Sequence, residues 1–208
     1  MITNQDRSKW IGASDTAMVM GNWKTLSFEE WFFEKIELGR KDKFNSWAMQ
    51  CGNILEHQII DCIDAFEEKR TKKGKHPYYI RKWRLRVNYD GLRRDEVIEV
   101  KTTSKEWKTV PKAYWQQCQV LMFVKKKKKA RIIQYMMTED DYANPYFADV
   151  RTDKIREHLI EFDKKWIKNC YLPRLKYLAY CIKKRIFPAE WEFRSFYENT
   201  YAVQQRNV

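Results

Sequence analysis

Three residues in the stretch RVNYDGLRRDEVIEVKTT could do chemistry together: Asp90, Glu99 and Lys101. Glu99 and Lys101 stand two apart in VIEVKTT, a run rich in β-branched residues, so on a strand both side chains leave the same face. Asp90 precedes Gly91 at a predicted turn, and a hairpin would bring it back beside Glu99. Two carboxylates and an ammonium on one surface suit hydrolysis of a phosphodiester. Magnesium prefers hard oxygen ligands and is commonly held by only one or two carboxylates, with water filling the rest. Asp90 and Glu99 would hold it, helped by the backbone carbonyl of Val100, and manganese is expected to substitute. Such an ion lowers the pKa of its bound water and neutralises charge growing on the phosphate. Lys101 would orient that water or help deprotonate it, and would add positive charge at the reacting group. The alternative reading is a same-face surface ion pair, worth little, because Glu and Lys are abundant here.

The elements that must position these residues follow from spacing. Ser14 can cap a short helix through AMVMG that Gly21 ends. Ser27 opens SFEEWFFEKIEL with Glu30 three residues on, the pattern of a capping box, and Phe28, Trp31, Phe32 and Ile36 recur at helical spacing. A third helix is predicted from about Ser46 through Phe66, carrying Met49, Ile54, Ile59, Ile60 and Ile63. EEKRTKKGKHP is a polar connector, after which YYIRKWRLRV alternates like a strand with one solvated face. KAYWQQCQVLMFV returns to helix and ARIIQYMM to strand. Lys125 through Lys129, between these two, read as a solvated turn, with a phosphate-contacting loop as the alternative. From Asp153 one long helical pattern runs through Arg185, with Ile155, Leu159, Phe162, Trp166 and Ile167 inward and Pro173 kinking or splitting it. The aromatic tail FPAEWEFRSFYENTY is expected to dock. The order predicts an α/β (α+β) fold, a central mixed sheet flanked by helices with a long C-terminal helical segment. One domain would span 1–208, with a core of about 1–150 and an extension of about 153–208.

Bulk composition narrows the class. Lys and Arg number 41 against 28 Asp and Glu, and the net charge of +13 favours a polyanionic partner such as nucleic acid. The five cysteines form no C-x-x-C pair, which argues against a disulfide framework or a zinc knuckle. The three histidines are too scattered for a His-based metal site. MITNQDRSKWIGAS has no apolar signal core, and no apolar run reaches membrane-spanning length, so a soluble protein without a membrane partner is expected.

Further motifs sharpen the reading. Arg7-Ser-Lys-Trp-Ile-Gly-Ala-Ser14-Asp15 looks like an R-x-x-x-I-G-x-S-[DE] opening. Met49-Gln-Cys-Gly52-Asn-Ile-Leu-Glu56 fits M-x-x-G-x-x-x-E, and Pro111-x-x-Tyr114-x-x-Gln117-x-Gln119 follows the central Asp90 and Glu99-Val100-Lys101. Collinear from Arg7 to about Val150, these resemble the YqaJ and lambda-exonuclease branch of the PD-(D/E)-x-K nucleases. The resemblance implies a restriction-endonuclease-like core and a magnesium-dependent DNA exonuclease. It would act on duplex ends, 5′ to 3′, in phage-type recombination. It also implies that Glu56 joins the metal site, that Gln117 positions Lys101 or the attacking water, and that Arg7 and Ser14 bind a terminal 5′-phosphate. Partners implied are double-stranded DNA, further copies of the chain in a ring-shaped trimer, and a single-strand annealing protein. The implied location is the cytoplasm of a bacterial or phage-infected cell. Tyr89 stands where the superfamily has its proline, which supplies no ligand. Two alternatives stay open: an endonuclease on the same core, and a catalytically inactive DNA-binding relative.

Overall fold

The computed structural model describes residues 8–39 and 46–205. Its elements in order are β1 (Ile11–Gly12), α1 (Thr16–Met20), α2 (Leu26–Lys35), α3 (Trp47–Glu67), β2 (Lys72–Lys73), β3 (Tyr78–Ile80), β4 (Leu85–Val87), β5 (Gly91–Leu92) and β6 (Glu96–Thr103). There follow α4 (Lys112–Lys125), β7 (Lys129–Met136), α5 (Glu139–Ala143), β8 (Ile155–Glu161), α6 (Lys164–Trp166), a π-helical turn (Ile167–Tyr171), α7 (Leu172–Lys184) and α8 (Glu190–Gln205). Among the described residues the strands form a five-stranded mixed sheet, ordered β2-β5-β6-β7-β8, and a three-stranded sheet, β1-β4-β3. This is the expected α/β class. The chain divides into two compact units, one built on 42–78 and 87–162, the other on 5–41, 79–86 and 163–208.

In the first unit, β6 and β7 run parallel from Glu96↔Lys129 to Thr103↔Met136, with α4 as their crossover. Ile98 and Val100 of β6, with Ile133 and Tyr135 of β7, face Cys51, Leu55, Ile59, Ile60 and Ile63 of α3. Each fully buried aliphatic side chain there contributes about 1.5–3 kcal/mol. Ser46 caps α3, its hydroxyl accepting from Met49 N at 3.3 Å. Of the apolar residues that mark this helix, Met49 is exposed, and Cys51 and Leu55 join the buried face. Gly52 lets α3 approach the sheet, because a Cβ there would meet Thr102 Oγ1 at 2.7 Å.

The predicted helix from Asp153 begins as a strand. β8 pairs antiparallel with β7 from Lys129↔Glu161 to Tyr135↔Ile155, and helix starts only at Lys164. The expected YYIRKWRLRV strand is two short strands separated by a 3-10 turn at Arg81–Trp83.

The second unit is held by rings. Trp23 stacks on Phe28 and Tyr177, with Phe193 edge-on, and Phe187 of the tail meets Phe28 and Phe32. Such pairs add about 0.5–1.5 kcal/mol each beyond area burial. The aromatic tail therefore docks. Arg174 lies over Trp23 at 4.1 Å and donates to Val19 O and Gly21 O, both at 2.7 Å, closing the end of α1. Pro173 sits in the first turn of α7, directly after the π-helical turn. Two caps differ from expectation. Thr25, not Ser27, caps α2 by accepting from Phe28 N, and Ser14 caps nothing, since Asp15 accepts from Gly12 N at 2.8 Å. Among the described residues no helix is long and apolar enough to cross a membrane, and all five cysteines are free.

Candidate active site

The site grows from the hairpin of β5 and β6. Its pairing, Leu92↔Val97 and Gly91↔Ile98, leads on to Asp90 beside Glu99. β5 ends there, which would leave the Val100 N–H unpaired on that edge. Asp90 Oδ2 accepts it at 2.7 Å. One carboxylate oxygen of Asp90 is thus spent on fixing the strand, and the side chain is pinned where the turn delivers it.

Glu99 and Lys101 leave the face opposite Ile98 and Val100, toward α4. Glu99 is 3% exposed. Its Oε1 accepts from Lys101 Nζ at 2.6 Å and from Gln117 Nε2 at 2.5 Å. Its Oε2 is buried and has no hydrogen-bond partner. A buried carboxylate oxygen without a donor is costly, of order 1–3 kcal/mol or more, and calls for a cation or water. Gln117 therefore meets Lys101 at a shared acceptor. Gln119, two residues on, turns away and donates to Glu161 O at 2.8 Å.

Tyr114 had no assigned role in the sequence, yet its ring lies under the Lys101 ammonium at 5.1 Å. Its place in the P-x-x-Y-x-x-Q motif was the available signal: one helical turn before Gln117, it shares that face. Trp107 packs on Tyr114 in turn, with ring centroids 5.1 Å apart.

The electrostatics are those of crowded acids. Burial pushes the Asp90 carboxyl well above its usual range, and Glu99 and Glu56 push it further against the pull of Lys101 and the Val100 N–H. Burial likewise raises Glu56 to about 7, with Glu99 adding and Lys101 opposing. For Lys101, burial alone would lower the ammonium, but Glu99 and Asp90 outweigh it and hold the pKa above its usual value. Glu56 thus joins the field of Asp90 and Glu99 from helix α3, and it stands 3.8 Å from His57 Nε2. Among the described residues no three His, Cys, Asp or Glu side chains stand as a ready-made chelate. Asp90, Glu99, Lys101, Glu56 and Gln117 are gathered electrostatically or by hydrogen bonds in the first unit. Ser14 is exposed on the 3-10 turn of the second unit, and Arg7 lies outside the described residues.

The fold defines a class. Over nearly its whole length the chain has the architecture of an alkaline exonuclease from Laribacter hongkongensis (LHK-Exo), with 16% identity, 97% of this chain and 96% of that one covered, and a TM-score of 0.61. The same enzyme in complex with dAMP gives a TM-score of 0.64 at 16% identity, covering 95% of this chain and 96% of that one. A phage-related exonuclease from Haemophilus somnus 129PT gives 0.57 at 15% identity, covering 94% and 96%. At such identities the likeness is one of fold. The family is shown by sequence: the YqaJ-like viral recombinase domain matches residues 4–128, more than half of the 208 residues, and the chain belongs to that family. No curated protein matches it.

Proposed function

We propose that this protein is a divalent-metal-dependent deoxyribonuclease that digests duplex DNA from its ends, 5′ to 3′. The observation that carries the reading is Glu99. One of its oxygens is held by Lys101 and Gln117, while the other is buried, unpartnered and beside Asp90. Hard carboxylate oxygens, an orphaned one among them, fit magnesium or manganese. Asp90 and Glu99 would hold the ion, with the Val100 carbonyl and Glu56 directly or through water. When bound, it supplies charge neutralisation at the phosphate and an acidified water.

The chain's own residues divide the remaining work. Asp90, fixed by the Val100 N–H, keeps its free oxygen oriented. Gln117 and Lys101 share Glu99 Oε1, so the ammonium is set beside the acid before substrate arrives. Lys101 then offers its remaining protons to the attacking water and to the phosphate oxygens. Positive charge prepared in advance at a water-poor position stabilises the transition state without reorganisation. Tyr114 under Lys101 keeps the ammonium from wandering.

Support for end-directed action comes from the family and from the exonuclease fold, one structure of which is a complex with dAMP. On this reading Ser14 and Arg7 bind the 5′-phosphate, copies of the chain assemble as a trimer, and a single-strand annealing protein takes the product strand. The test is one gel carrying linear duplex with and without 5′-phosphate beside a closed circle, each with magnesium or with chelator. The reading expects metal-dependent loss of linear duplex, faster with 5′-phosphate, and an intact circle. Ready nicking of the circle would make it an endonuclease, and no cleavage in any lane would overturn it.

A further inference from the structure

The five-lysine run is not uniform. Lys126 takes the left-handed position after α4, and Lys128 and Lys129 are exposed. Lys125, the last residue of α4, instead folds back so that its ammonium lies over the rings of Tyr89 at 4.5 Å and Tyr78 at 5.1 Å. Burial lowers its pKa, and Lys72 and Lys127 lower it further, which places three ammonium groups in one neighbourhood. Asp61 is engaged by Lys73 at 2.5 Å, and Lys127 donates to Arg94 O. Among the described residues Lys72 and Lys125 have no carboxylate partner. Lys72 sits on β2 opposite Leu92 of β5, and Tyr89 directly precedes Asp90, so the cluster belongs to the same hairpin as the acids.

Gathered, partly desolvated cations without a counter-charge repel one another unless an anion occupies the place between them. Cation–π bracing fixes Lys125 in advance, so less side-chain freedom is lost on binding. We propose that Lys72 and Lys125, braced by Tyr78 and Tyr89, seat a backbone phosphate of duplex DNA that is not the one being cleaved. The inference rests on the nuclease reading of the adjoining acids and deepens it: the hairpin both presents the acids and grips the strand beside them. Lys128 and Lys129, from the same run, take no part.

The test measures binding of a fluorescent duplex by anisotropy in chelator over a salt series, for the wild type, Lys72→Ala/Lys125→Ala and Lys128→Ala/Lys129→Ala. The first double variant is expected to bind about tenfold more weakly near physiological salt, with a log–log salt slope smaller by ~1, since one phosphate contact contributes about 0.9. The second is expected to stay within about twofold of wild type, as sequence-independent solvated charge does. With magnesium, the first variant should raise KM on duplex and leave kcat unchanged. Lys72→Glu, at an exposed position away from the packing of α4, should weaken binding as strongly with unchanged melting. Wild-type affinity and slope in Lys72→Ala/Lys125→Ala and Lys72→Glu, or equal losses in the two double variants, overturn the inference while the nuclease reading stands. A wild type that neither binds nor cuts duplex overturns both.

Discussion

Arg93 and Arg131 bind a set of carboxylates where β6 begins. Arg93 donates to Asp64 at 2.8 Å and to Glu67, and Arg131 to Glu67 at 2.5 Å, Glu96 at 2.8 Å and Glu157 at 3.0 Å. Thr71 adds two bonds of 2.6 Å to Asp64. Farther along the same strand stand Glu99 and Lys101, with Asp90 and Glu56 in their field. Both clusters are acid-rich and largely buried, yet their carboxyls move in opposite directions. Burial raises Asp64 and Glu67, but the Thr71 and arginine donors outweigh it and bring both below the usual range. Burial raises Asp90 and Glu56, and neighbouring acids add to the rise. The first cluster gives every acid a donor and holds α3, β5, β6, β7 and β8 together. The second leaves Glu99 Oε2 without one. Stability explains the first arrangement. On the proposed reading, the second is explained by a cation that the site would hold.

The largest expected effect lies in the unbalanced cluster. Glu99→Gln or Asp90→Asn should lower the hydrolysis rate at least ~100-fold, about 2.7 kcal/mol of transition-state stabilisation, with folding and duplex binding retained. Gel digestion of linear duplex measures it, and more than a few per cent of wild-type rate would break the assignment. In the balanced cluster the loss should fall on stability instead. Arg93→Met takes one guanidinium from Asp64, Glu67 and Glu96 while Thr71 and Arg131 still serve them, and should destabilise by ~1.5–3 kcal/mol in urea unfolding, as loss of hydrogen bonds to charged groups does. A loss below ~1 kcal/mol would mean the network is only decoration.

The two regions should also answer pH with opposite signs. Asp64 and Glu67 titrate below their unfolded values, so their stabilisation is full above those values and is lost as pH falls through the folded ones. Glu56 has a folded value near 7 against an ordinary 4.5, so its protonated form favours the fold. That contribution is full below the unfolded value and is lost as pH rises toward 7. In chelator, wild-type stability should therefore decline from about pH 5 to neutrality, and Glu56→Gln should flatten that decline; urea unfolding across pH checks it. Smaller still is Gly52→Ala. Its Cβ at 2.7 Å from Thr102 Oγ1 should push α3 outward at ~1–3 kcal/mol, shifting Glu56, and unfolding and rate should both register it. Ser14→Ala, at an exposed position that caps nothing, should change stability by less than ~0.5 kcal/mol. If Ser14 binds the end, that variant still narrows the preference for 5′-phosphoryl over 5′-hydroxyl duplex in paired rate measurements.

The same contrast explains what was legible in the sequence. The acid–lysine hairpin was readable because strand alternation and a turn fix which side chains meet, whatever surrounds them. Phe28, Trp31 and Phe32 were readable as a buried face even with the cap misplaced by two residues, since either start gives the same helical phase. β8 was not. Ile155 and Leu159, four apart, imitate a helix, while Leu159 is in fact 71% exposed. The sheet-facing partners of this edge strand are polar: Glu157 bonds Arg131, and His158 bonds Gln134 at 3.0 Å. A strand that meets its neighbours through charges leaves no hydrophobic alternation to read. The Arg93 network was invisible for the same reason, being assembled from bonded pairs up to 64 residues apart with no local pattern. Lys125 shows the limit from the other side, since a run of identical residues hid one that packs on two rings.

The central claim is that Asp90, Glu99 and their neighbours form a cation site whose charge is unbalanced until the ion arrives. Thermal melting of wild type and Glu99→Gln at pH 8, in chelator and in magnesium or manganese, tests it most directly. The account predicts that the metal raises the wild-type melting temperature. It also predicts that Glu99→Gln melts no lower than wild type in chelator and ignores the metal. A variant that melts well below wild type in chelator, or that keeps the full metal response, would contradict it.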